Sequence, residues 1–473
     1  MRRLRSFAFP LLAMAASASL LWAPACAGLK QASPQVDASS DALASPEVIA
    51  PSDAGADADG HEGPLTPLSD TVCDGPANRW ASTTKSDAKC KGRIVRLLES
   101  WQGGDGAVQT TGVAIARAPS GRTAIGVHRV HTPEEGELRL FALNGTPEGF
   151  AVPVPIRVFN QSGFESHGVG IRIARGSTDD FHVAYQRVDD AAGGPVLYRR
   201  LTTAGVLTTP ETVAIVPDEA RPSLAASPKN DDAVISYFIK PSKVISRFRT
   251  GTGLKPEVSV TESILGSAPA AGSSSLAYDT SGQAHVAYIY STNPASAAPK
   301  YVQSNGQYWN IGSQTLDNGT SAGIFGFSIA MAVRGLQKSV AYFARPIGSS
   351  TAELRVATID GTGAFPTIET VLQDIPIPTP GATAVHLDLT FDRLGALHMV
   401  AVLPGATCKI AYLRQVPAQA GALKWVEDLV DEPIACSSDN DVQVALTVDE
   451  SIRAHIVYAV GAVGAYYATR YDR

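Results

Sequence analysis

The residues best placed to do chemistry are two arginines. His128-Arg129 and Gln186-Arg187 each follow an apolar strand-like run, at places where five comparable runs continue with Phe238, Ile289, Phe343, Val402 and Ala459. Polar residues gather around them: His131, Glu134 and Glu135 after the first pair, Asp189 and Asp190 after the second, with Glu165 and His167 between. Arg129 and Arg187 can each hold a carboxylate or phosphate through paired hydrogen bonds. His131, His167, Asp189 and Asp190 can serve sugar hydroxyls, or, in an enzyme, two carboxyls can act as general acid and nucleophile. The plain alternative is a solvated rim of ion pairs, worth little energetically.

Other chemistries lack their residues. No Ser-His-Asp arrangement, phosphate loop or dinucleotide fingerprint stands in a fitting context. Asp53 to Gly60 reads DAGADADG, but Gly55 occupies the third ligand position of a calcium loop and the glutamate at the twelfth is absent. Without a CxxC pair or close histidine pair, no metal is expected, and no cofactor either. The net charge of -6 comes with no basic face, so nucleic acid is not an expected partner. Trp309 and Trp425 recur at comparable points, and recurrence favours packing over sugar stacking.

The elements that must position the arginines follow from an internal repeat. Its clearest copy runs from Ser275 to Tyr288: an apolar strand, the turn Asp279-Thr280-Ser281-Gly282, and a second strand, His285-Val286-Ala287-Tyr288. Further copies are Ile115 to Val127, Ile171 to Tyr185, Leu224 to Tyr237, Ile329 to Tyr342, Leu389 to Ala401 and Leu446 to Tyr458, with strand ends about 51 to 59 residues apart. Between copies there is room for a second hairpin, such as Lys300 to Gln303 and Trp309 to Leu316 about Asn305-Gly306, a dipeptide that tolerates positive φ. The fold expected is all-β, a seven-bladed β-propeller of four-stranded antiparallel blades. Ala465 to Tyr471 ends the seventh copy one strand short and Arg93 to Leu98 precedes the first, so the N-terminal strand should close the last blade. In the turn, Asp caps through its backbone and Gly takes positive φ. His182, His285, His398 and His455 recur at one position, which marks a packing element.

With its Ala-x-Asp-x-x-Gly-x-x-His-Val-Ala-Tyr theme, most explicit at Ala277 to Tyr288, the chain resembles exported bacterial proteins carrying sialidase-like or lectin-like β-propellers over about residues 90 to 473. The sialidase Asp box is not reproduced, and Arg93-Ile94-Val95 lacks the proline of the family's arginine motif, so the resemblance transfers no catalytic residue. It implies a glycan- or protein-binding module of the cell envelope, or alternatively a glycoside hydrolase or lyase.

The first residues set the compartment. Arg2, Arg3 and Arg5, an apolar run from Phe7 to Trp22 and Ala23-Pro24-Ala25 form the layout of a secretory signal peptide over residues 1–25. Cys26 then stands where a lipoprotein carries its lipid, on the outer membrane or cell surface; cleavage after Ala25 or Ala27 without lipid, giving a secreted or periplasmic protein, is the alternative. Residues 26–72 hold eight acids against one base, Lys30, among Ala, Ser and Pro, a composition suited to a disordered tether. Residues 73–473 form the propeller. Setting Cys26 aside leaves Cys73, Cys90, Cys408 and Cys436, an even set for an oxidising compartment. Of three possible pairings, proximity favours Cys73 with Cys90 and Cys408 with Cys436.

Overall fold

The computed structural model describes residues between 93 and 470; residues 1–92 and 471–473, and connecting segments that include 101–108, 144–153, 158–169, 188–193, 261–272, 378–385 and 435–441, lie outside the described residues. The expected signal peptide and tether, and Cys26, Cys73, Cys90, Cys436, His167, Asp189 and Asp190, therefore all lie outside them.

The chain is an all-β propeller of antiparallel blades. Its described strands pair into seven antiparallel sheets, six of them four-stranded and one five-stranded. Each sheet begins at an inner strand: Gln109–Arg117, Ile171–Arg175, Ser223–Ala226, Ser274–Tyr278, Ser321–Arg334, Leu387–Phe391 and Val442–Val448. Each inner strand packs beside the next, and the last packs beside the first. Numbering the sheets by these inner strands gives blades one to seven.

Local chemistry explains the hairpin at the start of each blade. In blade four, Asp279 Oδ1 accepts from the Gln283 N–H at 2.8 Å and the Ser281 hydroxyl at 2.6 Å, and Gly282 adopts φ +81°. In blade six, Asp392 Oδ1 gathers the N–H groups of Leu394, Gly395 and Ala396 at 2.7 to 2.9 Å. Such Asx turns reverse the chain without spending ladder hydrogen bonds. The second strands then bury their terminal aromatics: Tyr185, Tyr237, Tyr288, Tyr342 and Tyr458 are each no more than 2 % exposed. At 150–250 Å² per ring and about 25 cal/mol per Å², each contributes about 4–6 kcal/mol before entropy is counted.

The closing strand runs Arg93–Ser100, slightly past the Leu98 expected, and pairs antiparallel with Gly464–Arg470 from Arg93 opposite Arg470 to Ser100 opposite Gly464. Its bulge at Leu97/Glu99 lets Leu98 pack against a cluster that joins Val113 and Ile125 of blade one to Val457 and Tyr467 of blade seven. One expected strand is interrupted. Trp309 to Leu316 divides into Tyr308–Trp309 and Gln314–Thr315, both paired with Ala297–Asn305, and Gly312 takes φ +91° in the break. Trp309 itself is buried between blades three and four, its Nε1 donating to Ser246 Oγ at 2.7 Å, and Trp425 packs partly buried among residues of blades five and six. Both tryptophans are thus packing residues.

Candidate functional site

Arg129 and Arg187 occupy equivalent places on neighbouring blades. Val127 pairs with Val113 and Tyr185 with Ile171, and each arginine stands two residues beyond that position in sequence. Arg129 lies in the strand Thr123–Thr132, opposite Thr110 and Glu137; Arg187 follows Phe181–Gln186, its N–H donating to the Pro195 carbonyl at 2.9 Å. The ladder shifts register between Val130 and Thr132, so His131 sits at an irregularity of the strand. The residues before the arginines belong elsewhere. His128 and Gln186 are buried, and Gln186 Oε1 accepts from the Ala220 N–H at 2.6 Å, which ties blade two to the start of blade three.

The recurring histidines turn out to be the middle members of buried relays whose other members were not apparent in the repeat. His398 Nδ1 lies 2.5 Å from the Tyr412 hydroxyl and its Nε2 3.2 Å from Asp392 Oδ2. His455 repeats this with Tyr467 and Asp449, and His285 with Tyr301 and Asp279. In blade two the turn begins with Gly176, and the carboxylate near His182 Nε2 is Asp231 of blade three, 3.8 Å away; Tyr198 takes the Nδ1 side at 2.6 Å. Gly176 is required there, because a Cβ would come within 2.7 Å of His182 Nε2.

Electrostatics follows from burial. Desolvation pushes His182 down to about 4, with Arg200 and Arg249 adding to the fall and Asp231 opposing it. His285, His398 and His455 are lowered chiefly by the same burial, against their aspartates. Burial pushes Asp392 and Asp449 up, but hydrogen bonds from the partner histidine and the turn N–H groups outweigh it and hold both below the ordinary value. All four histidine side chains are at most 2 % exposed, so these relays have no access to a substrate; in blades four, six and seven they pin the turn to the blade's third strand, and in blade two they link the third strand to the turn of blade three.

The inner strands enclose a cavity of about 210 Å³ to which all seven contribute. At one level, the residue after each strand-end partner is Ala114, Arg172, Ser223, Ser275, Ala330, Asp388 and Ala445 in blades one to seven. Three of these carry side-chain oxygens that accept from the following blade's inner strand: Ser223 from the Leu276 N–H at 3.2 Å, Ser275 from Met331 at 2.9 Å and Asp388 from Leu446 at 2.8 Å. Ser328, one level away, does the same for Leu387 at 3.1 Å. Inner strands are sheet edges with unspent N–H groups, and these side chains satisfy them. Sequence reasoning missed Arg172 and Asp388; the available signal was the register, counting one residue past each strand-end partner.

No protein-family pattern matches the sequence, and no curated protein is similar to it. Solved structures with a similar course are propellers of several kinds. The β-propeller domain of the Trilobed protease from Pyrococcus furiosus is 9 % identical, over 77 % of this chain and 94 % of that one, with a TM-score of 0.44. A variant Aleuria aurantia lectin in complex with alpha-methyl-L-fucoside is 11 % identical, over 70 % and 98 %, at 0.42. A Hadza microbial sialidase is 13 % identical, over 74 % and 76 %, at 0.43.

Proposed function

We propose that this protein is an exported, seven-bladed propeller that acts as a binding module, holding a polar ligand, a glycan or an envelope protein, at the rim of blades one and two. The observation that carries this reading is the equivalence of Arg129 and Arg187: two cations two residues beyond the same register point on neighbouring blades, where the other blades continue with apolar residues. Two such groups offer paired hydrogen bonds to one acidic or hydroxyl-rich ligand. His131, His167, Asp189 and Asp190 complete the proposed set. In this reading residues 1–25 direct export, Cys26 carries the lipid and residues 26–72 are the tether.

The test is binding by the intact protein, on a glycan array and in an envelope pull-down, followed by Arg129→Ala and Arg187→Ala. Each replacement is expected to weaken the partner found by at least tenfold while thermal unfolding stays unchanged. Unaltered binding in both variants would place the site elsewhere.

The cysteine pairing belongs to the same reading. Cys408 is fully buried and stands opposite Ile434, two residues before Cys436, which supports a bond between the two. A non-reduced peptide map of secreted protein is expected to yield the 408–436 crosslink, and Cys408→Ser to lower stability by about 3 kcal/mol. Recovery of both as free thiols overturns the pairing.

A further inference from the structure

The cavity between the inner strands contains one place where the pattern of acceptors is reversed. Ser223, Ser275 and Asp388 each present an oxygen to the N–H that follows the equivalent residue in the next blade. In blade two the same position is Arg172, and by register the N–H it meets is that of Leu224, which follows Ser223 in blade three. A guanidinium carries only donors, so this position offers the Leu224 N–H no acceptor. Arg172 spends one of its N–H groups on the Ile171 carbonyl at 3.0 Å, and the residue lines the cavity. The next two blades add the hydroxyl protons of Ser223 and Ser275, whose oxygens are already engaged as acceptors. The result is an arc of donors over blades two, three and four, bordered by small residues at Ala114 and Ala330.

From this geometry we infer that the cavity binds a small monocarboxylate, its oxygens bridging the Arg172 guanidinium and the Leu224 N–H. The carboxylate supplies the acceptor that the serines and the aspartate supply in other blades. Asp388, at the same level in blade six, selects for low charge: its carboxylate is already held by the N–H groups of Leu446 and Leu389, and its field repels a second negative charge on the ligand. The two groups feel one another across the cavity. Enclosure lowers the Arg172 pKa while Asp388 opposes the fall, and it raises the Asp388 pKa against the two N–H bonds and Arg172. This site is independent of the rim arginines.

The probes are sodium acetate and sodium sulfate, titrated into the full chain by calorimetry at neutral pH and constant ionic strength, with unfolding temperature as a second readout. Acetate is expected to bind saturably, one per chain, and to raise the unfolding temperature; sulfate is expected to bind at least tenfold more weakly. Arg172→Met keeps most of the side chain's length, and in it acetate affinity should fall at least tenfold, with the far-ultraviolet circular dichroism unchanged. Arg345→Ala, which removes an exposed arginine of blade five away from the cavity, should leave acetate binding intact. Should Arg172→Met fail to fold, Arg172→Lys, which keeps the charge but loses the planar fork, is expected to weaken acetate by a smaller factor. Absence of saturable acetate binding, equal affinity for sulfate, or full retention of acetate in the Arg172 variants would each overturn the inference.

Discussion

Acidification from pH 7 to about 4 is expected to remove several kcal/mol of stability from the propeller. The cause is the set of sealed histidines. His182 has a pKa lowered from 6.5 to about 4, so between those values the unfolded chain takes up a proton that the folded chain refuses. Stability must then fall as pH falls through 6.5, and the loss is complete near pH 4. At 1.36 kcal/mol per unit, His182 alone accounts for about 3 kcal/mol. His285, His398 and His455 are shifted the same way, so they steepen the decline over the range below 6.5. A second decline begins only below about 3.8, where the carboxylates of Asp279, Asp392 and Asp449, held below their ordinary values, lose in the folded state the hydrogen bonds that favour their charge. Urea midpoints measured every half unit from pH 7.5 to 2 check both stages. His182→Gln should flatten the upper stage by up to one proton's worth of slope. A flat stability profile between pH 7 and 4.5 would show that these rings are not held neutral.

The repeat was legible because burial imposes a period on it. Tyr185, Tyr237, Tyr288, Tyr342 and Tyr458 recur where each blade needs a large ring, and the Asp-to-Gly turns at Asp279 and Asp392 advertise their backbone geometry directly. Partners that come from another strand or blade leave no such trace. The Tyr301, Tyr412 and Tyr467 hydroxyls that complete the histidine relays lie 12 to 16 residues beyond their histidines, in third strands whose register is not readable in advance. Asp231 reaches His182 across a blade boundary, an arrangement visible only once Gly176 is seen to leave room for it. The rim arginines were legible as departures from the repeat, whereas Arg172 was hidden because its neighbours at that level are ordinary small residues. Departure from a pattern is informative only after the pattern has been aligned to the right residue.

Replacing Asp428 with alanine is expected to destabilise the protein by about 3–5 kcal/mol, because Arg470 is left as an uncompensated charge inside it. Arg470 Nη1 lies 3.1 Å from Asp428 Oδ2, and the two side chains are 5 % and 4 % exposed. The pair stands beside the seam where the ring closes. Arg470 ends the strand Gly464–Arg470 and is the residue opposite Arg93 of the closing strand, while Asp428 belongs to Leu423–Ile434, the outer strand of blade six. The ion pair therefore joins blade six to the strand that receives the N-terminal segment. Burial of two charges costs nearly as much as their attraction returns, so the pair adds little net stability over apolar residues of similar size. The consequence is that Asp428→Ala and Asp428→Leu should both be severe, and Asp428→Leu combined with Arg470→Met should recover most of the loss. Denaturant unfolding of the single and double variants measures the coupling directly. Losses that merely add in the double variant would mean that the two charges stabilise the seam separately, each through other neighbours.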